Sequence, residues 1–350
     1  MGIIQSRAKI ARLFYFFFDR YLFMTTAFFV LAIIIGFTIL IWGADRFVNG
    51  ASSIATNLGV SPLIVGLTIV GFGTSAPEML VSALAAFDGA PALGIGNALG
   101  SNITNIGLVL GITILITPLA VHSDTLNREF PLLAAVMLLS FFLLLDLNLS
   151  RIDGLILFSG FILTLFFMAY LAIHSNKSDS LEQEFEQEAA DHKMTTQQAV
   201  LSFIIGLVSL LIASKSLVWG ATGIAHLMGV SDLIIGLTIV AIGTSLPELA
   251  ASIVSALKNE HDIAVGNVLG SNIFNLLAVL AMPGLIQPSK LDPMILLRDF
   301  PFMVALTVAL YLFARTGKQG KIGRLAGSLM LLIYISYNSL LAYQSSQGIV

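Results

Sequence analysis

The sequence predicts an all-α polytopic membrane protein, with ten transmembrane helices arranged as two inverted five-helix repeats and broken helices at the centre. Three observations carry this. Of 350 residues, 57% are hydrophobic and 11% charged, whereas a soluble domain has about 25% charged residues; the mean hydropathy is +0.94. Apolar stretches of roughly 20 residues, enough for one helix to cross a bilayer, recur along the whole length. Two segments also return nearly unchanged at an offset of 170. Gly73-Thr74-Ser75-Ala76-Pro77-Glu78 reappears as Gly243-Thr244-Ser245-Leu246-Pro247-Glu248, and Gly96-Asn97-Ala98-Leu99-Gly100-Ser101-Asn102-Ile103 as Gly266-Asn267-Val268-Leu269-Gly270-Ser271-Asn272-Ile273.

The elements follow in order. Residues 1–22 form a basic lead-in (Arg7, Lys9, Arg12, Arg20) whose aromatic run Leu13–Phe18 is too short to span and is interrupted by Asp19-Arg20. It reads as an interfacial segment leading into the first helix and not as a cleaved signal. Met1-Gly2-Ile3-Ile4-Gln5-Ser6 fits a myristoylation pattern, an anchor that a polytopic protein does not need. The first repeat, 23–173, holds spans at about 23–46, 60–86, 93–117, 128–147 and 152–173. An acidic linker, 174–196, carries Asp179, Glu182, Glu184, Glu186, Glu188 and Asp191 and reads as solvated chain. The second repeat, 197–345, holds spans at about 197–219, 230–257, 262–287, 294–314 and 322–344, followed by a tail, 346–350. The same offset aligns Ile64–Val70 with Ile234–Val240 and Arg128-Glu129-Phe130-Pro131 with Arg298-Asp299-Phe300-Pro301.

An odd number of spans per repeat decides the topology. A five-span unit followed directly by its copy inserts the copy upside down, so a pseudo-two-fold axis lies in the membrane plane. The count of Lys and Arg in the loops places the acidic linker in the cytoplasm, although the basic lead-in pulls the other way.

Composition also excludes several functions. The net charge of −3 offers no basic footprint for nucleic acid. With no cysteine there is no disulfide, thiolate metal site or thiol nucleophile. His122, His174, His192, His226 and His261 are scattered, without the spacing of a zinc protease. No nucleophile stands with a base, so an enzyme is not expected, and nothing calls for a cofactor.

What remains is polar chemistry inside apolar helices. Thr74, Glu78 and Ser82 are spaced i, i+4, i+8, as are Asn97, Ser101 and Asn105, and each trio lies on one helix face. The copies keep both stripes, as Thr244, Glu248, Ser252 and Asn267, Ser271, Asn275. Four such stripes avoid lipid only by facing one another. Pro77 and Pro247 each push off the carbonyl four residues back, Gly73 and Gly243, and a metal ion in a protein-lined cavity could satisfy the freed oxygens. A mid-membrane carboxylate costs roughly 2.5–3.5 kcal/mol even on lenient scales. Two of them, kept symmetrically, point to a cation that offsets the cost, and the oxygen-only inventory suits a hard ion such as Ca²⁺ or several Na⁺. Close helix packing is the plainer reading of Gly96–Gly100 and Gly266–Gly270. Asp45 and Lys215, equivalent positions of opposite charge, read as snorkelling helix-end residues.

The twin Gly-Thr-Ser-x-Pro-Glu and Gly-Asn-x-Leu-Gly-Ser-Asn-Ile motifs resemble the α-repeats of the calcium/cation antiporter superfamily, in particular the compact prokaryotic sodium/calcium exchangers, over residues 23–345. The resemblance implies alternating access around a central site in which sodium influx drives calcium extrusion. It assigns Glu78 and Glu248 as central calcium ligands and Thr74 and Thr244 as donors of backbone oxygens. Ser101 and Ser271 would line flanking sodium sites, with carbonyls from Gly71 and Ala241, and Asn105 and Asn275 would complete the cluster. Potassium-dependent relatives have aspartate at the position of Asn275, so one charge is absent here. The expected partners are Ca²⁺, Na⁺ and the bilayer of a plasma membrane (the inner membrane in a bacterium), with no oligomer required. A Ca²⁺/H⁺ antiporter, a K⁺-dependent exchanger and, from another class, a channel-like pore are the alternatives.

Overall fold

The computed structural model describes residues 2–60, 65–121, 125–174, 194–228, 241–317 and 320–347. Helix α1 runs unbroken over Gly2–Leu58, so the basic lead-in is the first part of the first helix. Then come α2 (Gly66–Phe87), α3 (Pro91–Ile116), α4 (Phe130–Leu144) and α5 (Arg151–His174). In the second half they are matched by α6 (Thr196–Leu227), α7 (Ala241–Thr244) with α8 (Leu246–Leu257), α9 (His261–Ile286), α10 (Ile295–Thr316) and α11 (Arg324–Ser346). Among the described residues nine helices are long and apolar enough to cross a membrane. The expected span 230–257 is described only from Ala241 onward, as α7 and α8; residues 229–240 lie outside the described residues, as do 175–193 of the linker.

The inversion shows in the packing of α1 against α6, the equivalent helices of the two halves. Gly36 meets Ala213 and Leu217, while its equivalent Gly206 meets Gly43 and Phe47. Gly50 meets Ala199 and Phe203, while its equivalent Gly220 meets Phe29 and Ile33. As numbers rise on α1 they fall on α6, so equivalent helices run antiparallel. Small residues set this seam because, without a hydrophobic drive inside lipid, helices associate by close packing.

Two short strand pairs repeat the symmetry. β1 (Leu119–Ala120) pairs antiparallel with β4 (Lys321–Ile322), and β2 (Asn148–Leu149) with β3 (Ser289–Lys290). Each pair joins one half to the other, and exchanging the halves carries one pair onto the other. π-Helical turns recur in register too, at Asn105–Leu110 and Asn275–Val279, and at Thr125–Glu129 and Ile295–Asp299.

The core lies around α3 and α9; α9 is buried along its apolar length. Ile95, Leu99, Ile103 and Leu110 of α3 interlock with Val268, Leu269, Ile273 and Phe274 of α9, walled by α4, α10 and α11. A second cluster belongs to the α1/α6 pair and the edge of α8.

The expected broken helices are found in one half only. In the second half Ser245 (φ −89°, ψ 6°) interrupts the helix and Pro247 opens α8, where a proline costs nothing because its missing N–H is unpaired at a helix start anyway. In the first half the helix runs through Pro77 without a break. A π-turn at Gly66–Val70 leads directly into this helix.

Candidate cation site

Four segments meet at the centre: α2, α3, α8 and α9. Glu78 and Glu248 are both 1% exposed and within electrostatic reach of each other. Each is held from behind by the same bond. Asn97 Nδ2 donates to the Glu78 carbonyl at 3.1 Å, and its equivalent Asn267 donates to the Glu248 carbonyl at 3.3 Å. These bonds use the main chain and leave the carboxylates alone. Asn267 Nδ2 also donates to Ser252 Oγ at 3.1 Å.

Thr74 links the halves. Its hydroxyl donates to Asn267 Oδ1 at 3.1 Å, shares a 3.3 Å contact with Ser271 Oγ and lies 3.4 Å from the Gly71 carbonyl. It also lies near the Glu248 carboxylate, but these neighbours take its hydrogen bonds. Ser271 Oγ lies 3.4 Å from the same Gly71 oxygen. A Cβ on Gly71 would stand 3.1 Å from Ser271 N, and one on Gly270 would stand 2.3 Å from the Leu67 carbonyl, so glycine alone lets α2 and α9 touch backbone to backbone. Asn105 Nδ2 donates to Asn272 Oδ1 at 3.1 Å, and Ser82 Oγ to the Val279 carbonyl at 2.9 Å.

The site is defined by the oxygens left over. Glu78 Oε2, both carboxylate oxygens of Glu248, Asn105 Oδ1, Asn275 Oδ1, Ser75 Oγ and Ser245 Oγ are buried without a hydrogen-bond partner among the described residues. A buried orphan acceptor costs roughly 1–3 kcal/mol, so such a cluster calls for something to coordinate it. Every atom is an oxygen and two groups are carboxylates, the donor set of a hard cation.

Of the residues expected from sequence, Glu78, Glu248, Thr74, Ser271 and Gly71 come together here; Asn105 reaches Asn272 of the other half, Asn275 is buried at the head of the equivalent π-turn, and Ser101 is buried in the same helix as Asn105. Ala241 and Thr244 both lie in α7, whose described part ends at Thr244. Ser75 and Ser245 were not expected. Their only signal was a hydroxyl next to Thr74 and Thr244 in both copies of the motif. The Gly243 carbonyl freed by Pro247 accepts a hydrogen bond from Ser214 Oγ at 2.5 Å, so a side chain supplies one partner for it. The equivalent of Ser214 in the first half is Ala44, which has no hydroxyl.

Comparison with known proteins identifies the family. The sodium/calcium exchanger protein family matches the chain over residues 28–170 and 198–343, one block in each half. The chain belongs to that family. The putative antiporter CaxA of Alkalimonas amylolytica is 50% identical over 310 residues, 88% of this chain and 97% of that protein. The sodium/calcium exchanger MaX1 of Methanosarcina acetivorans is 30% identical and covers 89% of this chain and 98% of its own. A solved structure of the sodium-calcium exchanger NCX_Mj, soaked without Na⁺ and Ca²⁺, superposes with a TM-score of 0.77 at 34% identity, covering 90% of this chain and 99% of that one. As an exchanger-family member the chain is an integral membrane transporter and not an enzyme.

Proposed function

We propose that this chain is a secondary Na⁺/Ca²⁺ antiporter in which sodium influx drives calcium extrusion through the Glu78/Glu248 site. The carrying observation is the cluster of buried, unpaired oxygens around two carboxylates at the junction of inverted halves. Two negative charges balance one Ca²⁺, or most of the charge of two or three Na⁺, so the ions compete for one centre. Glu78 and Glu248 hold calcium centrally. Ser75, Ser101, Ser245 and Ser271, with backbone oxygens at Gly71, Thr74, Ala241 and Thr244, complete the flanking sodium positions, and Asn105 and Asn275 contribute carboxamide oxygens. The relatives named as a sodium/calcium exchanger and an antiporter support this reading.

The topology supports alternating access. The chain between β2 and β3 crosses the membrane in α5, α6 and α9. Three crossings would put these strands on opposite faces, yet they pair. A further crossing therefore falls between α6 and α9, with α7 and α8 as its described part. On the same reasoning β1·β4 lies on the face of the acidic linker and β2·β3 on the other. We place the linker face in the cytoplasm, and the protein in the plasma membrane (the inner membrane in a bacterium).

The test is ⁴⁵Ca²⁺ uptake into sodium-loaded proteoliposomes in sodium-free medium. Uptake that requires internal sodium supports the proposal. Uptake driven instead by a pH gradient would replace it with Ca²⁺/H⁺ antiport, and uptake without any coupled gradient would replace it with a pore.

A further inference from the structure

Within the α1/α6 pair the contacts obey the two-fold. Beyond the mirrored glycines, Ser202 Oγ donates to the Arg46 carbonyl at 2.9 Å, and the equivalent two positions meet again where Ser216 Oγ donates to the Ala32 carbonyl at 3.1 Å. The pair forms most of a second hydrophobic cluster, which Val70 of α2, Ala251 of α8 and Ile263 of α9 join. It is a symmetric unit seated beside the site.

Its contacts with the rest of the protein are not symmetric. α1 packs along α8, whereas the equivalent pair, α6 with α2, barely meets. Lys258, in the turn between α8 and α9, forms an ion pair with Asp45 at 2.5 Å and donates to Asn49 Oδ1 at 2.6 Å. Asn49 Nδ2 in turn donates to Asp45 Oδ2 at 3.2 Å, and Ser52 Oγ donates to Glu260 Oε1 at 2.5 Å. Asp45 is therefore a partnered residue, not a snorkelling one. This turn lies on the linker face, because the far end of α9 leads to β3.

Moving each residue of the ion pair by 170 positions replaces Asp45 with Lys215 and Lys258 with Asp88. The charges are exchanged, yet the pair remains one of opposite sign. Asp88 lies in the turn between α2 and α3, on the face away from the linker. In this structure Lys215 and Asp88 are both exposed and form no ion pair among the described residues.

We propose that Asp45–Lys258 and Lys215–Asp88 are two alternative latches. The first ties the α1/α6 pair to the 258–260 turn and closes the linker face in the conformation described here. When the halves exchange conformations, the first opens and the second closes the opposite face. An ion pair is lost and another gained, so neither state is favoured strongly, as a carrier that returns in both directions requires. Exposed ion pairs are weak and break readily. The proposal rests on the exchanger reading only through alternating access.

The chain has no cysteine, so paired cysteines report directly. A protease site placed in the acidic linker separates the halves on a denaturing gel unless a cross-link joins them, and both pairs bridge the halves. In liposomes, Asp45→Cys/Lys258→Cys and Lys215→Cys/Asp88→Cys should each cross-link with a short bifunctional thiol reagent. In the quadruple variant one cross-link should preclude the other. Lys258→Ala should raise the Lys215→Cys/Asp88→Cys yield about threefold, and Asp45→Lys/Lys258→Asp should restore the balance. Both cross-links in one molecule, or no Lys215→Cys/Asp88→Cys cross-link in sodium, calcium or ion-free medium, would overturn the proposal. Loss of sodium coupling with the exclusion intact would overturn the exchanger reading and leave the latches standing.

Discussion

Asn97 donates its side-chain amide to the main-chain carbonyl of Glu78 at 3.1 Å. The bond repeats 170 residues later from Asn267 to Glu248, so each carboxylate is positioned through its own backbone. Asn267→Ala should lower the melting temperature and weaken calcium half-saturation several-fold, since a buried bond of this kind contributes about 1 kcal/mol and a second partner, Ser252, is also stranded. Thermal denaturation in detergent and uptake titrations check this. An unchanged half-saturation would remove the positioning role.

Ser75 and Ser245, next to Thr74 and Thr244, carry buried hydroxyl oxygens with no partner among the described residues. In the proposed exchanger, replacing either with alanine removes one ligand from a flanking position. The sodium concentration needed for half-maximal exchange should rise about fivefold, the equivalent of roughly 1 kcal/mol, with a smaller change for calcium. Sodium titrations of exchange in the two variants measure it directly.

At Asn275 the site has a neutral carboxamide whose oxygen is unpaired. With no carboxylate at this position, sodium-driven calcium uptake should be the same with and without K⁺ on either side. A strict requirement for K⁺ would refute this.

Gly270 is a packing requirement. A Cβ there would sit 2.3 Å from the Leu67 carbonyl, and backbone cannot give way cheaply. Gly270→Ala should destabilise by about 1–3 kcal/mol, as overpacking does. A Cβ on Gly96 meets nothing within 4 Å among the described residues, so Gly96→Ala should melt close to the wild type. Equal melting temperatures for the two variants would contradict the close α2/α9 contact.

Much of this was legible in the sequence for a physical reason. A duplicated polar motif inside apolar spans has few arrangements that keep it from lipid, so Glu78, Glu248, Asn105 and Asn275 pointed to a shared centre. Other features had no local signature. The π-turns at Asn105–Leu110 and Asn275–Val279 begin at the same position of the repeat, but no residue pattern in the sequence announced them. The identical Gly-Thr-Ser steps did not announce a break at Ser245 but not at Ser75: the flanking residues differ, Ala76 against Leu246 and Gly71 against Ala241, and Ser214 meets the Gly243 carbonyl only in the folded chain. The partner of Asp45 was equally hidden, since Lys258 lies more than two hundred residues away and is reached through the turn after α8.

The central claim is that Glu78 and Glu248 together hold the transported calcium. The most direct measurement is sodium-dependent ⁴⁵Ca²⁺ uptake by Glu78→Gln and Glu248→Gln in proteoliposomes, with folding verified by gel filtration. Each variant keeps its size and packing but loses a charge, so uptake should fall at least about tenfold, the equivalent of 1.4 kcal/mol. Uptake at wild-type rates in either variant would contradict the account.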